Sequence, residues 1–302
     1  MAFAKRIILF LALNFLVVIV ISTILQLLNV RPYLEANGIN YRSLLIFCLV
    51  WGMGGAFISL SLSRIMAKWM MGVQLIDPKT IDPDARQLLH TVYELADSAK
   101  IPRPQVGVFR SNEVNAFATG PTQSRSLVAV STGLLNRLNP TEIKAVLGHE
   151  ITHISNGDMV TMTLLQGVVN AFVMFLARVL AYAFSNFGRS RDNSSAPGSF
   201  VSYMLFTYLF EVIFMILGSL LIAAYSRFRE FRADAGGAKL TSKEAMIAAL
   251  QALKVSQNIK DPKADNPAMA AFKISHPEKK GILHLFATHP SLDVRIERLR
   301  QA

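Results

Sequence analysis

The sequence is short of cysteine and short of charge. Its single cysteine, Cys48, falls inside an apolar run. One cysteine cannot close an internal disulfide, so nothing requires the soluble part to face an oxidising compartment. It also argues against thiolate ligation of a metal, since the cysteine-rich zinc sites need several thiolates. Only 17% of the 302 residues are charged, against 52% hydrophobic, and the mean hydropathy is +0.37. The length alone would allow two soluble domains, but this balance points to an integral membrane protein with a soluble part. Acids are scarcer than bases, 20 against 31, for a net charge of +11. No nucleic-acid motif accompanies the excess, and many of the basic residues flank apolar stretches. Retention of cytoplasmic loops and contact with anionic lipid account for the charge, and nucleic acid is not an expected partner.

Four apolar stretches predict membrane helices: Ile7–Leu28, Leu44–Leu62, Met159–Phe184 and Val201–Ala224. Each is near or above the roughly 20 residues a spanning helix needs. The first lacks a clear A-x-A cleavage site and is too long for a secretory h-region, so it reads as an uncleaved anchor. The third contains Arg178 and the fourth Glu211, which are expected to pair within the membrane. Lys5, Arg6, Arg64, Lys68, Arg227, Arg229 and Arg232 flank one side of the spans, and Arg31, Arg42, Arg189 and Arg191 the other. That bias places both termini and the soluble part in the cytoplasm. The resulting organisation is 1–64 for two spans, 65–158 for a first soluble piece, 159–225 for a membrane hairpin and 226–302 for a second soluble piece. The loop 185–199 is rich in Ser, Gly, Arg and Asn and carries no structure signal.

The soluble part reads as α+β. Pro83–Ala99 is a helix with Asp82 as N-cap. Gln105–Phe109, Val114–Thr119 and Ser126–Val130 are short apolar runs bounded by turn formers, and predict strands of a small sheet. Asn139-Pro140-Thr141-Glu142 is a strong helix start, with Asn as cap, Pro at the first position and Glu reaching back from the third. Leu292–Arg300 is a final amphipathic helix. The intervening Lys260–Gly281 stretch reads as a surface linker or a flap.

The helix that begins after Asn139 carries His149-Glu150-Ile151-Thr152-His153, an H-E-x-x-H pattern. Four residues are about one helical turn, so both imidazoles share a face and can hold one zinc ion, with Glu150 beside them to activate a water. A catalytic zinc takes three protein ligands. The three-histidine form of this motif would need a histidine where Met159 stands, so a carboxylate on another helix is expected. Glu230 is the best candidate, in Ser226-Arg227-Phe228-Arg229-Glu230-Phe231-Arg232-Ala233-Asp234. Asp234 shares its helical face and is placed to accept a hydrogen bond from a ligand imidazole. The competing reading pairs Glu230 and Asp234 with Arg227, Arg229 and Arg232. Glu142, Asp158 and Glu211 are weaker ligand candidates. His289 or Arg295, in Thr288-His289-Pro290-Ser291-Leu292-Asp293-Val294-Arg295, is the expected donor to a developing oxyanion. Asn115, Ala116 and Phe117 form the candidate edge on which an extended peptide would pair. The active-site helix runs toward the third span and Glu230 follows the fourth, so the zinc is expected near the cytoplasmic membrane surface.

Taken together, these motifs resemble the HtpX family of membrane zinc metalloproteases, and more distantly the CAAX prenyl proteases. The resemblance covers nearly the whole chain. It rests on the N-terminal spans, Val114-Asn115-Ala116-Phe117-Ala118-Thr119-Gly120, the H-E-x-x-H at His149, the E-x-x-x-D of Glu230 and Asp234, and Thr288-His289-Pro290 before Arg295. It implies a mainly α integral membrane protein of about four transmembrane helices with a cytoplasmic α+β zincin-like (gluzincin) domain and a small sheet. It further implies one zinc per chain on His149, His153 and Glu230, with Glu150 as base. The implied activity is degradation of damaged or misassembled membrane proteins at a bacterial inner membrane, as part of a stress response. A narrow-specificity processing protease of the prenyl type and a zinc-stabilised scaffold without turnover are the rival readings.

Overall fold

The structure, a computed structural model, describes residues 40–186, 197–256 and 281–302. The first predicted span, most of the 185–199 loop and the 260–281 stretch apart from Gly281 lie outside the described residues. The elements are α1 (Tyr41–Met71), β1 (Gln74–Leu75), α2 (Pro83–Ser98), β2 (Gln105–Phe109), β3 (Ala116–Thr119), β4 (Leu127–Ser131), α3 (Thr132–Arg137), α4 (Pro140–Asn156), α5 (Asp158–Asn186), α6 (Pro197–Leu240), α7 (Lys243–Ser256) and α8 (Leu292–Gln301). Short 3₁₀ turns cover Gln123–Arg125 and Gly281–Phe286.

The described residues divide into two compact units, one drawn from 1–58 and 161–222, the other from 59–160 and 223–302. In the first, Tyr41, Leu45 and Cys48 of α1 pack on Phe175 and Val179 of α5. Gly52 allows the backbones to touch, since a Cβ there would lie 2.6 Å from Ala171 N. Arg178 Nη1 donates to Glu211 Oε1 at 2.7 Å, the pairing expected from sequence. Three of the described helices are long and apolar enough to cross a membrane: Tyr41–Met71, Asp158–Ser185 and Val201–Leu240. In the last, the apolar stretch ends at Ala224, and Glu230 and Asp234 lie beyond it in the second unit.

The second unit is built on a four-stranded sheet of order β1-β2-β4-β3. β2 and β4 are parallel, and the outer pairings are antiparallel. β4 is buried along its whole length, as its unbroken Leu-Val-Ala-Val run suggests. The sequence expectation of three strands omitted β1, whose two residues offer no alternation to read. It also began β3 two residues early and β4 one residue early. Ser131 explains the end of β4: it closes the strand, and its Oγ then accepts the Leu134 N–H as the cap of α3.

α2 starts as expected, with Asp82 accepting from Asp84 N and Pro83 at the first position. Leu88, Leu89, Val92, Leu95 and Ala96 form its buried face. α4 has the full capping box: Asn139 Oδ1 accepts from Glu142 N and Glu142 Oε2 accepts from Asn139 N, both at 3.0 Å. From Ala145 to Ile154 every residue of α4 is buried. This helix is therefore the centre of the unit, with the same core holding Val128 and Val130 of the sheet, Met246, Ala249 and Leu250 of α7 and Ile296 and Leu299 of α8.

Candidate metal centre

α4 and α6 meet backbone to backbone. A Cβ on Gly236 would lie 2.7 Å from Thr152 Oγ1 and closer still to its Cγ2, and one on Gly237 would lie 3.0 Å from His149 N. Thr152 turns its hydroxyl back to Gly148 O at 2.8 Å, leaving the crossing narrow. Side chains at 149 and 153 can then interleave with those at 230 and 234. Paired glycines inside a helix cost about 1 kcal/mol each relative to alanine, so their presence in α6 signals a packing demand.

The crossing gathers three ligand atoms. His153 Nε2 lies 3.1 Å from His149 Nε2, His149 Nε2 lies 3.5 Å from Glu230 Oε2, and His153 Nε2 lies 3.3 Å from Glu230 Oε1. Among the described residues, His149, His153 and Glu230 are a buried set able to hold one metal ion. Tetrahedral zinc with bonds of about 2.0–2.1 Å would set its ligand atoms about 3.3 Å apart, which is the spacing found. Glu230 Oε2 is buried without a properly aligned hydrogen-bond donor, although His289 Nδ1 is 2.9 Å away. A buried carboxylate oxygen in that state, ringed by imidazole nitrogens, fits a bound cation.

Each imidazole is held from behind by its own carboxylate. His149 Nδ1 is 3.0 Å from Asp234 Oδ1, and His153 Nδ1 is 2.6 Å from Asp158 Oδ2. Both bonds turn Nε2 toward the cluster and fix its tautomer. Asp234 is in turn gripped by Arg295, with Nε to Oδ2 at 2.8 Å and Nη2 to Oδ1 at 2.6 Å. The role of Asp158 was not foreseen. Its signal was Gly157, whose left-handed φ of 65° ends α4 and lets α5 begin at once, folding Asp158 back on His153.

The electrostatics follow from this packing. Burial pushes the His149 imidazole down, but Asp234 and Glu230 outweigh it and hold its pKa up at about 9. Burial raises the Asp234 carboxyl, yet Arg295 and His149 bring it to about 2. Burial likewise opposes ionisation of Glu230, and the facing histidines, His289 foremost, hold it well below the ordinary carboxylate range. Two ionised carboxylates facing the imidazoles make a site that favours positive charge.

The other expected residues fall as follows. Glu150 is buried one position after His149. His289 and Arg295 both reach the centre, from the segment before α8 and from α8 itself. Arg295 spends Nε and Nη2 on Asp234, and only Nη1, 3.7 Å from Glu230 Oε2, is left without a hydrogen-bond partner. The acids of α6 do not pair mainly with neighbouring arginines: Asp234 takes Arg295, and only Arg229 reaches Glu230, at 3.1 Å. β3 holds the outer place in the sheet, but Asn115 precedes it, and the Asn115 N–H and carbonyl are bonded to Ser131 Oγ and N. Ala116 and Phe117 have buried side chains.

Residues 83–302 match the family model described as Peptidase family M48. The chain is 47% identical over 298 residues to Protease HtpX of Chromohalobacter salexigens, covering 98% of each chain. It belongs to the HtpX proteases of this family. It is also 46% identical over 304 residues to the Protease HtpX homolog of Bacillus subtilis, covering 98% of this chain and 99% of that one. The crystal structure of S. mikatae Ste24p superposes with a TM-score of 0.57 at 19% identity, over 98% of this chain and 67% of that one, a likeness of fold. The resemblance read from the motifs is thus borne out, and with it a mainly helical membrane metalloprotease. This HtpX-family chain is a multi-pass membrane protein, and its His149, His153 and Glu230 cluster is suited to the metal that a metalloprotease requires.

Proposed function

We propose that the chain is a zinc-dependent endopeptidase that cleaves damaged or misassembled membrane proteins at the cytoplasmic face of a bacterial inner membrane. The observation that carries the zinc assignment is the 3.1–3.5 Å spacing of two imidazole nitrogens and a carboxylate, a donor set and size suited to tetrahedral zinc. His149 and His153 would hold the ion through Nε2, with Glu230 as the third ligand. Zinc there would acidify a bound water and polarise the scissile carbonyl. Glu150 takes the proton of the attacking water and returns it to the leaving amine. His289 and the uncommitted Nη1 of Arg295 donate to the oxyanion that develops on the substrate. Asp234 and Asp158 hold the two imidazoles. The outer edge of β3 offers backbone pairing to an extended peptide, which gives affinity with little sequence preference and suits a quality-control enzyme.

The cytoplasmic placement rests on the basic residues beside the spans. It groups 65–158 and 226–302 as one protease domain, with 1–64 and 159–225 in the membrane. The test is purification in detergent without chelators, followed by zinc analysis and assay on an unfolded substrate and a membrane-protein substrate. The expected result is one zinc per chain and cleavage of both, with zinc lost on Glu230→Ala. Full zinc occupancy in Glu230→Ala would remove it from the ligand set. Cleavage confined to a prenylated peptide would favour the narrow-specificity alternative.

A further inference from the structure

Arg227 stands one turn before Glu230 on α6, so the two share a helical face. Its Nη1 donates to Leu285 O and to Ala287 O, each at 2.8 Å. One nitrogen with two hydrogens thus holds two carbonyls of a segment some sixty residues away. This nitrogen of Arg227 is committed to fixing main chain. The 3₁₀ turn it grips, Gly281–Phe286, closes with Ala287 N donating to His284 O. Two residues after Ala287, His289 Nδ1 comes to 2.9 Å from Glu230 Oε2. Pro290 follows, and Ser291 Oγ then caps α8 by accepting from Val294 N. His289 therefore rides on a short bridge. Arg227 anchors one end. The other is α8, tied to the centre by Arg295 and Asp234.

We propose that Arg227 is a positioning residue: it pins the 285–287 backbone so that His289 is held beside Glu230. Sequence alone places Arg227 among the basic residues flanking a span, a role that any lysine or arginine would fill. Fixing two carbonyls from one nitrogen is a narrower demand, and lysine, with donors enough but a shorter and less rigid side chain, meets it only in part. Displacement of a catalytic group by about 1 Å costs on the order of 10²-fold in rate, so a loosened bridge affects turnover more than substrate binding. The kinetic half of this inference rests on the zinc-protease reading, and the structural half does not.

The test uses the full chain in detergent, as Arg227→Gln and Arg227→Lys, with amide hydrogen exchange and steady-state kinetics. In Arg227→Gln, exchange at 285–289 is expected to quicken about tenfold or more, while exchange in 140–156 and zinc content stay as in the unsubstituted chain. The kcat should fall about 10- to 100-fold with KM within about twofold, and Arg227→Lys should recover part of the loss. In a His289→Ala background, Arg227→Gln should cost nothing further in kcat. Unchanged exchange at 285–289 overturns the proposal, and so does a full additional loss in the His289→Ala background. Faster exchange throughout the unit, or loss of zinc, would assign Arg227 to overall folding and also overturn it. If the local exchange effect appears but Glu150→Gln cleaves as well as the unsubstituted protein, the positioning stands and the zinc-protease reading falls.

Discussion

Gly236 and Thr152 touch so closely that neither helix has room for one more carbon: a Cβ on Gly236 would meet Thr152 Oγ1 at 2.7 Å. The contact sets the distance between the helix with the two histidines and the helix with Glu230. Gly236→Ala is expected to push α6 outward and weaken metal binding, with an overpacking cost of about 1–3 kcal/mol in stability. Thr152→Ala removes both atoms that clash most and should restore much of the loss in the double variant. Metal titration and thermal melting of the four proteins check this. Independent, additive losses would show that the crossing does not govern the site.

The carboxylates behind the imidazoles predict a second set of effects. Asp158→Ala and Asp234→Ala each remove the acceptor that orients one ligand, and each should lower metal affinity about 10- to 100-fold. Asp234→Ala also strands Arg295, which is buried and bonded to it. Leaving a buried charge uncompensated costs on the order of 3–5 kcal/mol, so Asp234→Ala should melt well below Asp158→Ala. Arg295→Met combined with Asp234→Ala should recover stability without recovering metal affinity.

Metal loading should depend on pH through His149. Its pKa in the metal-free site is about 9, raised above the ordinary histidine value by Asp234 and Glu230 against the effect of burial. Below pH 9 a proton must leave Nε2 for a metal to bind, so apparent affinity should climb about tenfold per pH unit and level off near 9. The stability linkage has the opposite sign. A pKa raised on folding stabilises the metal-free chain fully below about 6.5, and that contribution is lost as pH rises to about 9. The gap between the melting temperatures of zinc-loaded and metal-free protein, at fixed free zinc, should therefore widen from pH 6.5 to 9. A gap independent of pH in that window would contradict the proton competition.

In the first unit, Arg178 of α5 and Glu211 of α6 form an ion pair at 2.7 Å. Glu211→Gln or Arg178→Met alone should lower the unfolding midpoint in detergent, because each leaves a charge without its partner. The double apolar replacement Arg178→Leu with Glu211→Leu should be more stable than either single variant.

Much of the site was legible because it is local. H-E-x-x-H and E-x-x-x-D each place their pair by helical spacing, and the Asn139 cap with Pro140 and Glu142 announces the helix that carries the first. The Arg178–Glu211 pair was legible because an isolated charge in an apolar helix needs a partner. What escaped depends on long-range contact. Gly236 and Gly237 reveal their purpose only against Thr152 and His149. Asp158 stood just before the third apolar stretch as a weaker ligand candidate, since its bond to His153 depends on the left-handed turn at Gly157. Arg295 was expected at an oxyanion, and its main commitment to Asp234 arises from the packing of α8 on the core. β1 is two residues long and has no pattern to read.

The most direct test of the whole account is Glu150→Gln, purified with its metal and assayed on an unfolded protein substrate. The substitution keeps the shape and removes the base. Zinc should remain at one per chain, melting should be unchanged, and cleavage should fall about 10²- to 10⁴-fold. Cleavage at the rate of the unsubstituted chain by a zinc-loaded Glu150→Gln protein, free of contaminating protease, would contradict it.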